Sequence, residues 1–468
     1  MKRIALAILV IAFVIGSVAP SFAVEMQARG SWRAAASWWD FDGKDDANNG
    51  ETFRARQRAR LWFDFIANEN LKAVLGLEIG DITWGDSNGK LGTDSNEAIE
   101  VKHAYFDFNI PNTQVNIKAG LQGIYIPGNL GSPILDDDAA ALMVSAPIND
   151  MVSVAAGWIR SYDLDDDTKG IYDYDKDTAD AKDDDNPSGI AGTSGDEVDT
   201  LALLVPVNGD GFSVTPYFLY TMIGKNTVEE LPIAEILDDA VKKSGIKDDL
   251  GEALGGVDDD ATMWHAGFSA QIDMFDPIVV LTDFAYGSLA LEGTTQDIDV
   301  RGYFFDLAVD YKMDFMTPEV FFLYTSGADD DKDEISVFPH ISGDLNFSTL
   351  IFDGSPFTEG DLYDDPAALP MWALGLKLKD INLVEDLSHT FTIYYAQGTS
   401  DKDGWYGKTF AEDDSLVEVD FDTKYQIYDE LAAYLELGYA SFDWDKSADH
   451  TNDAEDIYKA AIGIKYDF

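Results

Sequence analysis

The sequence predicts an all-β protein, a transmembrane antiparallel β-barrel of about 18 strands, with 16 strands as the second choice. Three observations predict this fold. Segments of about ten residues alternate apolar and polar side chains, the connections between them are alternately short and long, and the last segment ends on an aromatic residue, Phe468. Beyond the first 23 residues no apolar run reaches about 18 residues, so no transmembrane helix is expected.

Residues 1–23 have the features of a secretory signal peptide. Lys2 and Arg3 precede an apolar run from Ile4 to Ala19, and a small-residue cleavage site ends at Ala23. An uncleaved membrane anchor is the alternative, but the run is short for a span. We therefore expect a signal peptide over 1–23 and one exported barrel domain over 24–468.

The chain is strongly acidic, with 87 Asp and Glu against 32 Lys and Arg. This charge argues against a nucleic-acid partner, because a polyanion requires a basic surface. A hydrophobic fraction of 46% and an aromatic fraction of 12% are too high for a disordered chain. The chain has no cysteine, which excludes a disulfide-stapled scaffold and thiol chemistry.

Taken in chain order, the alternating segments predict the strands. In the first, the apolar side chains of Met26 to Trp38 occupy every second position, as expected for a strand with two different faces. Segments 139–147 and 415–425 alternate weakly, which leaves 16 strands open. The clearest segments are 26–38, 53–65, 71–79, 104–110, 115–121, 152–158, 264–272, 303–311, 372–378, 391–395 and 458–468.

The connections predict the orientation of the barrel. Short turns are expected in the periplasm and long loops outside the cell, with both chain ends on the periplasmic side. Leu231, Ile236 and Val241 have helical spacing, which predicts a short helix near 229–254 that caps the mouth or forms a separate motif. The short turns are 68–70, 111–112, 148–150, 208–211 and 313–316, and the long loops are 40–50, 85–97, 163–197, 223–260, 327–369, 399–414 and 445–454.

The segment 53–65, FRARQRARLWFDF, places arginine at every second position. As a strand it has an arginine face and a mostly apolar face. An arginine facing lipid near the midplane would cost about 2–4 kcal/mol, so the arginines are expected to face the lumen. Together with two arginines of the first strand they predict a column of positive charge on one wall. Its members are Arg29, Arg33, Arg54, Arg56, Arg58 and Arg60.

Two other interpretations of these arginines stay open. They could form the charged face of a soluble sandwich, or they could only neutralise loop carboxylates and contribute little to selectivity.

The C-terminal strand is typical of bacterial outer-membrane barrels, because Ile462, Ile464, Tyr466 and Phe468 share one face. With the preceding features, the chain resembles a general outer-membrane porin, in particular the homotrimeric porin family of sulfate-reducing bacteria. The resemblance implies a homotrimer in the outer membrane of a Gram-negative bacterium, in contact with lipid and lipopolysaccharide. It also implies that Tyr466 and Phe468 are the signal for the barrel-assembly machinery.

In porins of this kind a long third loop folds into the lumen and carries acids opposite an arginine cluster. The matching stretch is GIYIPGNLGSPILDDDAAA, which contains Asp136, Asp137 and Asp138. The resemblance therefore implies a constriction with these acids on the loop and the arginines on the wall. The motif PEFGG of enterobacterial porins is absent, and the alternative is a solvated loop tip.

Three functions are compatible with this predicted barrel and its arginine column. The first is a water-filled channel for passive diffusion of ions and small hydrophilic solutes. The second is a selective anion channel for phosphate, sulfate or an organic acid, with the arginines as successive weak sites. The third is a structural or adhesive barrel. A sugar channel is a further possibility if Trp62, Tyr105 and Tyr217 face inward.

The sequence gives no sign of an enzyme, a cofactor or a dedicated metal site. No G-x-S-x-G or phosphate-binding glycine loop occurs, and the five histidines are far apart. Asp173, Asp175 and Asp177 alternate as in a calcium loop, but Thr178 and Asp184 stand where an EF-hand needs Gly and Glu. Loose binding of Ca²⁺ or Mg²⁺ by acidic loops is the expectation there.

Overall fold

The computed structural model describes residues 24–43, 50–85, 99–163, 197–224, 227, 261–291, 298–328, 334–352, 355, 370–401, 410–444 and 454–468. The signal peptide expected over 1–23, the Asp-rich loop around 173–187 and the helix expected near 229–254 lie outside these residues. Among the described residues, no helix is long and apolar enough to cross a membrane.

The described chain forms 22 strands in sequence order. They are β1 Glu25–Gly43, β2 Gly50–Asn68, β3 Leu71–Thr83, β4 Ile99–Asn109, β5 Asn116–Tyr125, β6 Gly131–Ser132, β7 Asp136–Pro147, β8 Ser153–Asp163, β9 Glu197–Leu204, β10 Val207–Gly209, β11 Phe212–Ile223, β12 Ala261–Phe275, β13 Ile278–Leu291, β14 Ile298–Tyr311, β15 Thr317–Thr325, β16 Glu334–Ile335, β17 Asp344–Leu345, β18 Met371–Val384, β19 Leu387–Gly398, β20 Ser415–Tyr428, β21 Leu431–Asp443 and β22 Ala454–Asp467.

Eighteen of these strands form a closed antiparallel barrel. Each long strand pairs with the next, and β1 closes the circle by pairing with β22 from Ser31 opposite Asp467 to Phe41 opposite Ile457. The short strands β10 and β16 pair with barrel strands, and β6 and β17 form a separate two-stranded sheet. The predicted barrel and its 18 strands are confirmed. The two weakly alternating segments are the barrel strands β7 and β20.

The two ends of the barrel differ, as the lengths of the connections indicated. At one end, two-residue turns join β2 to β3, β12 to β13, β18 to β19 and β20 to β21. We call this the short-turn end. The opposite end carries the long connections, most of which lie outside the described residues, and we call it the long-loop end.

Exposure alternates along the strands and separates an outer from an inner face. In β9, Thr200 and Ala202 are buried, whereas Leu201 and Leu203 are exposed. The exposed face is apolar, as expected for contact with lipid, and the buried face points into the lumen. Because the side-chain period of a strand is two, this assignment fixes the direction of every neighbouring residue.

Two segments of the described part of the chain fold into the lumen. The first is the hairpin 122–139, which we call the inserted hairpin. β5 pairs with β4 only up to Leu121, and β7 pairs with β8 only from Ala140, so the hairpin between them leaves the wall. At its tip, the side-chain amide of Asn129 donates a 2.7 Å hydrogen bond to Asp283 of β13. The expectation of an inward-folded third loop is therefore met.

The second is residues 334–352, which we call the inserted segment. It pairs with the hairpin through β17 and β6 and with the wall through β16 and β14. Its backbone docks on a row of carboxylates, because the Thr349 amide donates to Asp420 at 3.0 Å and the Leu350 amide donates to Glu418 at 3.1 Å. Lys459 donates to the Thr349 carbonyl at 2.8 Å.

The inserted segment corrects the expectation that 327–369 is an extracellular loop. Phe347 stacks on Phe352 with 4.3 Å between the ring centroids, and both rings pack on Tyr394 of β19. Phe321 of β15 contacts the same cluster at 5.4 Å from Phe347. Burying these apolar side chains between segment and wall is the driving force that draws the segment inside. Much of the lumen beside β11 to β21 is therefore filled.

Candidate functional site: a lumen wall of arginines

The six predicted arginines lie together on the inner face of β1 and β2. Arg33 stands directly opposite Arg58 across the two strands, and Arg29 stands opposite Trp62. On the other face of β2, Phe53 is 68% exposed. Trp62 shares the arginine face and reaches the inserted hairpin through His103, so this face is the lumen face.

Few acids on these two strands face the arginines. The same face of β1 and β2 carries Glu25 and Asp64, which leaves an excess of four positive charges. Asp64 lies 3.8 Å from Arg29, and Glu78 of β3 forms an ion pair with Arg60. The Nε atom of Arg56 has no hydrogen-bond partner among the described residues. The wall therefore presents positive charge to the lumen.

This wall is more open to solvent than the filled side of the lumen. The side chain of Arg29 is 53% exposed and that of Arg60 is 29% exposed. On the filled side, the side chain of Glu436 on β21 is only 2% exposed, and that of Lys459 on the neighbouring strand β22 is 1% exposed. Arg29 and Arg60 are thus more accessible to solvent than these residues of the filled side, whereas Arg33 in the middle of the wall is 8% exposed.

A polar chain ties the inserted hairpin to this wall. The indole Nε1 of Trp62 donates to Nδ1 of His103 at 2.9 Å, so the proton of a neutral His103 lies on Nε2. That nitrogen faces the carboxylate of Asp138 at 2.9 Å, and Lys102 pairs with the other oxygen at 2.5 Å. The hairpin is held against β4 at this point.

Gly76 makes this polar chain possible. It lies on β3 between Trp62 and His103. A Cβ atom at Gly76 would lie 2.8 Å from Nε1 of Trp62 and 2.9 Å from Cβ of His103. The indole can cross β3 only because this residue has no side chain.

The three predicted constriction acids lie in the inserted hairpin, but on a strand rather than on a loop. Asp136, Asp137 and Asp138 pair with Tyr125, Ile124 and Gly123 at the start of β7. Asp138 binds His103 and Lys102, Asp137 accepts a 3.0 Å hydrogen bond from Ser342, and Asp136 is exposed. Two of the three therefore hold the inserted elements in place.

The C-terminal aromatics lie on the outer face beside the closure of the barrel. Tyr466 and Phe468 stack with 5.2 Å between their ring centroids. The backbone of Phe468 exchanges two hydrogen bonds with Gly30, of 2.9 and 3.0 Å. Their role in barrel assembly stays a prediction.

The aromatic residues considered for a sugar path are divided. Trp62 and Tyr105 line the arginine wall, where Arg29 lies 5.2 Å from the Trp62 ring and Lys118 lies 5.9 Å from the Tyr105 ring. Tyr217 is 5% exposed and lies under the inserted elements. Within the described part of the chain, no group of three or more His, Asp or Glu is placed to hold a metal ion.

His103 is a residue of this site that the sequence pattern did not indicate. Its partners Trp62 and Asp138 are 41 and 35 positions away. The only local signal is the adjacent pair Lys102-His103, which a β-bulge between Gly76 and Leu77 turns toward Asp138.

The closed 18-stranded barrel with inward segments is the fold of bacterial outer-membrane porins. The chain is similar to OpdQ of Pseudomonas aeruginosa (TM-score 0.55, 11% identity, 95% of this chain and 99% of that chain). It is also similar to OccAB4 of Acinetobacter baumannii (TM-score 0.53, 11% identity, 96% of this chain and 100% of that chain). A BenF-like porin from Pseudomonas fluorescens Pf-5 is similar as well (TM-score 0.53, 9% identity, 95% of this chain and 99% of that chain). No protein-family model and no curated protein matches the chain. At these identities the likeness establishes the fold.

Proposed function

We propose that this chain is an outer-membrane porin, a water-filled channel through which ions and small hydrophilic solutes diffuse passively. The observation that carries the proposal is the row of arginines on the lumen face of β1 and β2, of which Arg29 and Arg54 are exposed to solvent. A barrel of 16 to 18 strands is wide enough to leave an aqueous lumen. The inserted elements narrow this lumen to a path along one side.

The proposed path has different charges on its two sides. Arg54 and Arg29 are exposed on the wall, and Asp136 is exposed on the inserted hairpin. A solute that passes between them experiences a transverse field, which is strongest where water is excluded. Polar solutes that align with this field pass more readily than apolar ones.

The test is the conductance of the purified protein in a planar lipid bilayer. We expect stepwise increases in current at a constant voltage, with a linear current–voltage relation at low voltage. Protein unfolded by heat before addition is the control and should give no steps. Folded protein that gives no conductance steps would overturn the proposal and favour the structural or adhesive barrel.

A selective anion channel is the second candidate, favoured by the excess of four positive charges on β1 and β2. Successive arginines can act as sites that bind an anion and release it to the next. OccK2 of Pseudomonas aeruginosa, a structure of the same fold (TM-score 0.52, 12% identity, 95% of this chain and 98% of that chain), was solved with glucuronate. The reversal potential under a KCl gradient separates the candidates: a strongly anion-selective potential supports this one.

We also propose that the channel is a homotrimer that is exported by its signal peptide and sits in lipid and lipopolysaccharide. Support comes from the exposed apolar outer face, where Trp32 of β1 is 50% exposed and Ile462 of β22 is 63% exposed. The mass of the protein in detergent, measured by light scattering, tests the trimer. A monomer mass in a mild detergent would contradict it.

A further inference from the structure

A polar cavity lies in the lumen beside the inserted segment, and Phe347 of the aromatic cluster is one of the residues that line it. Its volume is about 280 Å³. Residues 346–349 of the inserted segment cover it, and β18 to β21 form its walls. These strands are distinct from β1 and β2, which carry the arginines, so the cavity is a separate site. Its volume is near the lower end for ligand pockets, about 300 Å³.

Among the described residues, two carboxylates in the cavity each have an oxygen atom with no hydrogen-bond partner. Glu436 is 2% exposed; its Oε2 accepts from Ser355 at 2.7 Å and pairs with Lys459 at 3.0 Å, whereas its Oε1 has no hydrogen-bond partner. Asp422 accepts from the Thr349 hydroxyl at 2.6 Å through Oδ2, and its Oδ1 also has no partner. Buried acceptors normally have a donor, so these two atoms are suited to bind donors from a solute.

The other lining groups define the chemistry of that solute. Lys377 and Lys424 are donors, Asp380 is a third carboxylate, and the hydroxyl of Thr392 can both donate and accept. Three carboxylates and two ammonium groups favour neither an anion nor a cation strongly. A neutral solute with several hydroxyls satisfies both kinds of group, because each hydroxyl donates to a carboxylate and accepts from an ammonium group.

We propose that this cavity is a binding subsite for a small, neutral, polyhydroxylated solute with one sugar ring or the equivalent polyol chain. The ring of Tyr434, which Lys424 approaches at 6.0 Å, supplies an apolar surface for the C–H face of a sugar. The inserted segment limits the length of the solute to a single ring. The proposal rests on the channel function, since the solute reaches the cavity through the lumen.

The test is equilibrium dialysis of the folded protein against radiolabelled glucose, with gluconate as the charged comparison. We expect saturable glucose binding that weakens at least fivefold in Asp422→Asn and in Lys424→Met. Leu374→Ala, on the outer face of β18, is the matched control and should bind glucose as the wild type does. Asp422→Asn and Lys424→Met should both keep the heat-modifiable gel mobility of a folded barrel.

Conductance is measured on the same preparations, so the two proposals fail separately. A protein that conducts but binds no glucose, or whose glucose binding is unchanged in both variants, overturns the subsite. Binding of gluconate equal to or tighter than that of glucose also overturns it, since the three carboxylates would then not govern the site. Loss of conductance steps with intact glucose binding contradicts the channel alone.

Discussion

Asp138 of the inserted hairpin lies 2.9 Å from Nε2 of His103 on the barrel wall. This contact holds the hairpin at the edge of the arginine wall, and Lys102 secures it from the other carboxylate oxygen. Asp138 is thus occupied by its own partners and is not a free charge opposite the arginines. We therefore predict that the arginines determine the sign of the potential along the wall.

Replacing arginines in the middle of the wall should reduce the permeability of the channel to anions. In Arg56→Ala and Arg58→Ala, each removed charge lowers the anion concentration in the narrow path, because the field is poorly screened where water is limited. We expect the chloride-to-potassium permeability ratio, taken from the reversal potential, to fall in each single variant and further in the double variant.

Arg56→Lys is the control that separates the effect of the positive charge from the effect of the shape of the arginine side chain. It keeps the positive charge and should preserve most of the permeability ratio. A ratio that stays at the wild-type value in the double alanine variant would show that the wall does not line the path.

Breaking the contact between hairpin and wall should widen the path. Asp138→Ala removes the partner of both Lys102 and His103, and each lost hydrogen bond weakens the docking by about 0.5–1.5 kcal/mol. We expect a larger and noisier single-channel current. Asp136→Ala, which removes an exposed acid of the same strand, should leave the noise unchanged. Equal current noise in both variants would be evidence that the contacts of Asp138 with His103 and Lys102 do not hold the hairpin on the wall.

Gly76→Ala should disturb the polar chain through a steric clash. The added Cβ would lie 2.8 Å from the Trp62 indole nitrogen, so the indole must move away from His103. We expect an altered tryptophan emission spectrum and a lower unfolding temperature. Gly80→Ala on the same strand is the matched control, because its Cβ meets nothing within 4 Å. If both substitutions have the same effect, the close packing of Trp62 on Gly76 does not matter.

Removing the buried ring of Phe347 should release the inserted segment from the inner wall of the barrel. Phe347→Ala removes a buried ring that contacts Phe352 and Tyr394, at a cost of about 3–5 kcal/mol for a core Phe→Ala change. We expect higher conductance and protease cleavage within 334–352, with the barrel still heat-modifiable on a gel. Phe421→Ala, on the outer face of β20, is the comparison. An unchanged conductance in Phe347→Ala would mean that the segment does not obstruct the path.

Much of the barrel could be predicted from the sequence because each strand carries its own two-residue period. The direction of the arginines also followed from sequence alone, since four charges facing lipid are too costly. Local pattern was weak for β7, whose first residues Asp136 to Asp138 are poor strand formers. Its pairing with Gly123 to Tyr125 depends on the hairpin being folded inside the lumen.

The inserted segment and His103 could not be placed from sequence pattern. Phe338, Phe347 and Phe352 are apolar residues within a long acidic loop, and that density was the available signal that part of the loop is buried. Phe338 contacts Phe304, and Phe347 and Phe352 contact Tyr394; these partners lie on strands that alternate like all the others. The contacts of His103 are equally long-range, so only the three-dimensional arrangement reveals them.

Single cysteines give the most direct test of the arginine-lined path, because the chain contains no cysteine of its own. In Arg58→Cys the thiol should face water in the lumen, whereas in Phe53→Cys it should face lipid on the other side of the same strand. We predict that a negatively charged thiosulfonate reagent, added during bilayer recording, changes the current stepwise in Arg58→Cys and leaves Phe53→Cys unchanged. An unchanged current in Arg58→Cys, with mass spectrometry showing the thiol modified, would contradict the proposed path.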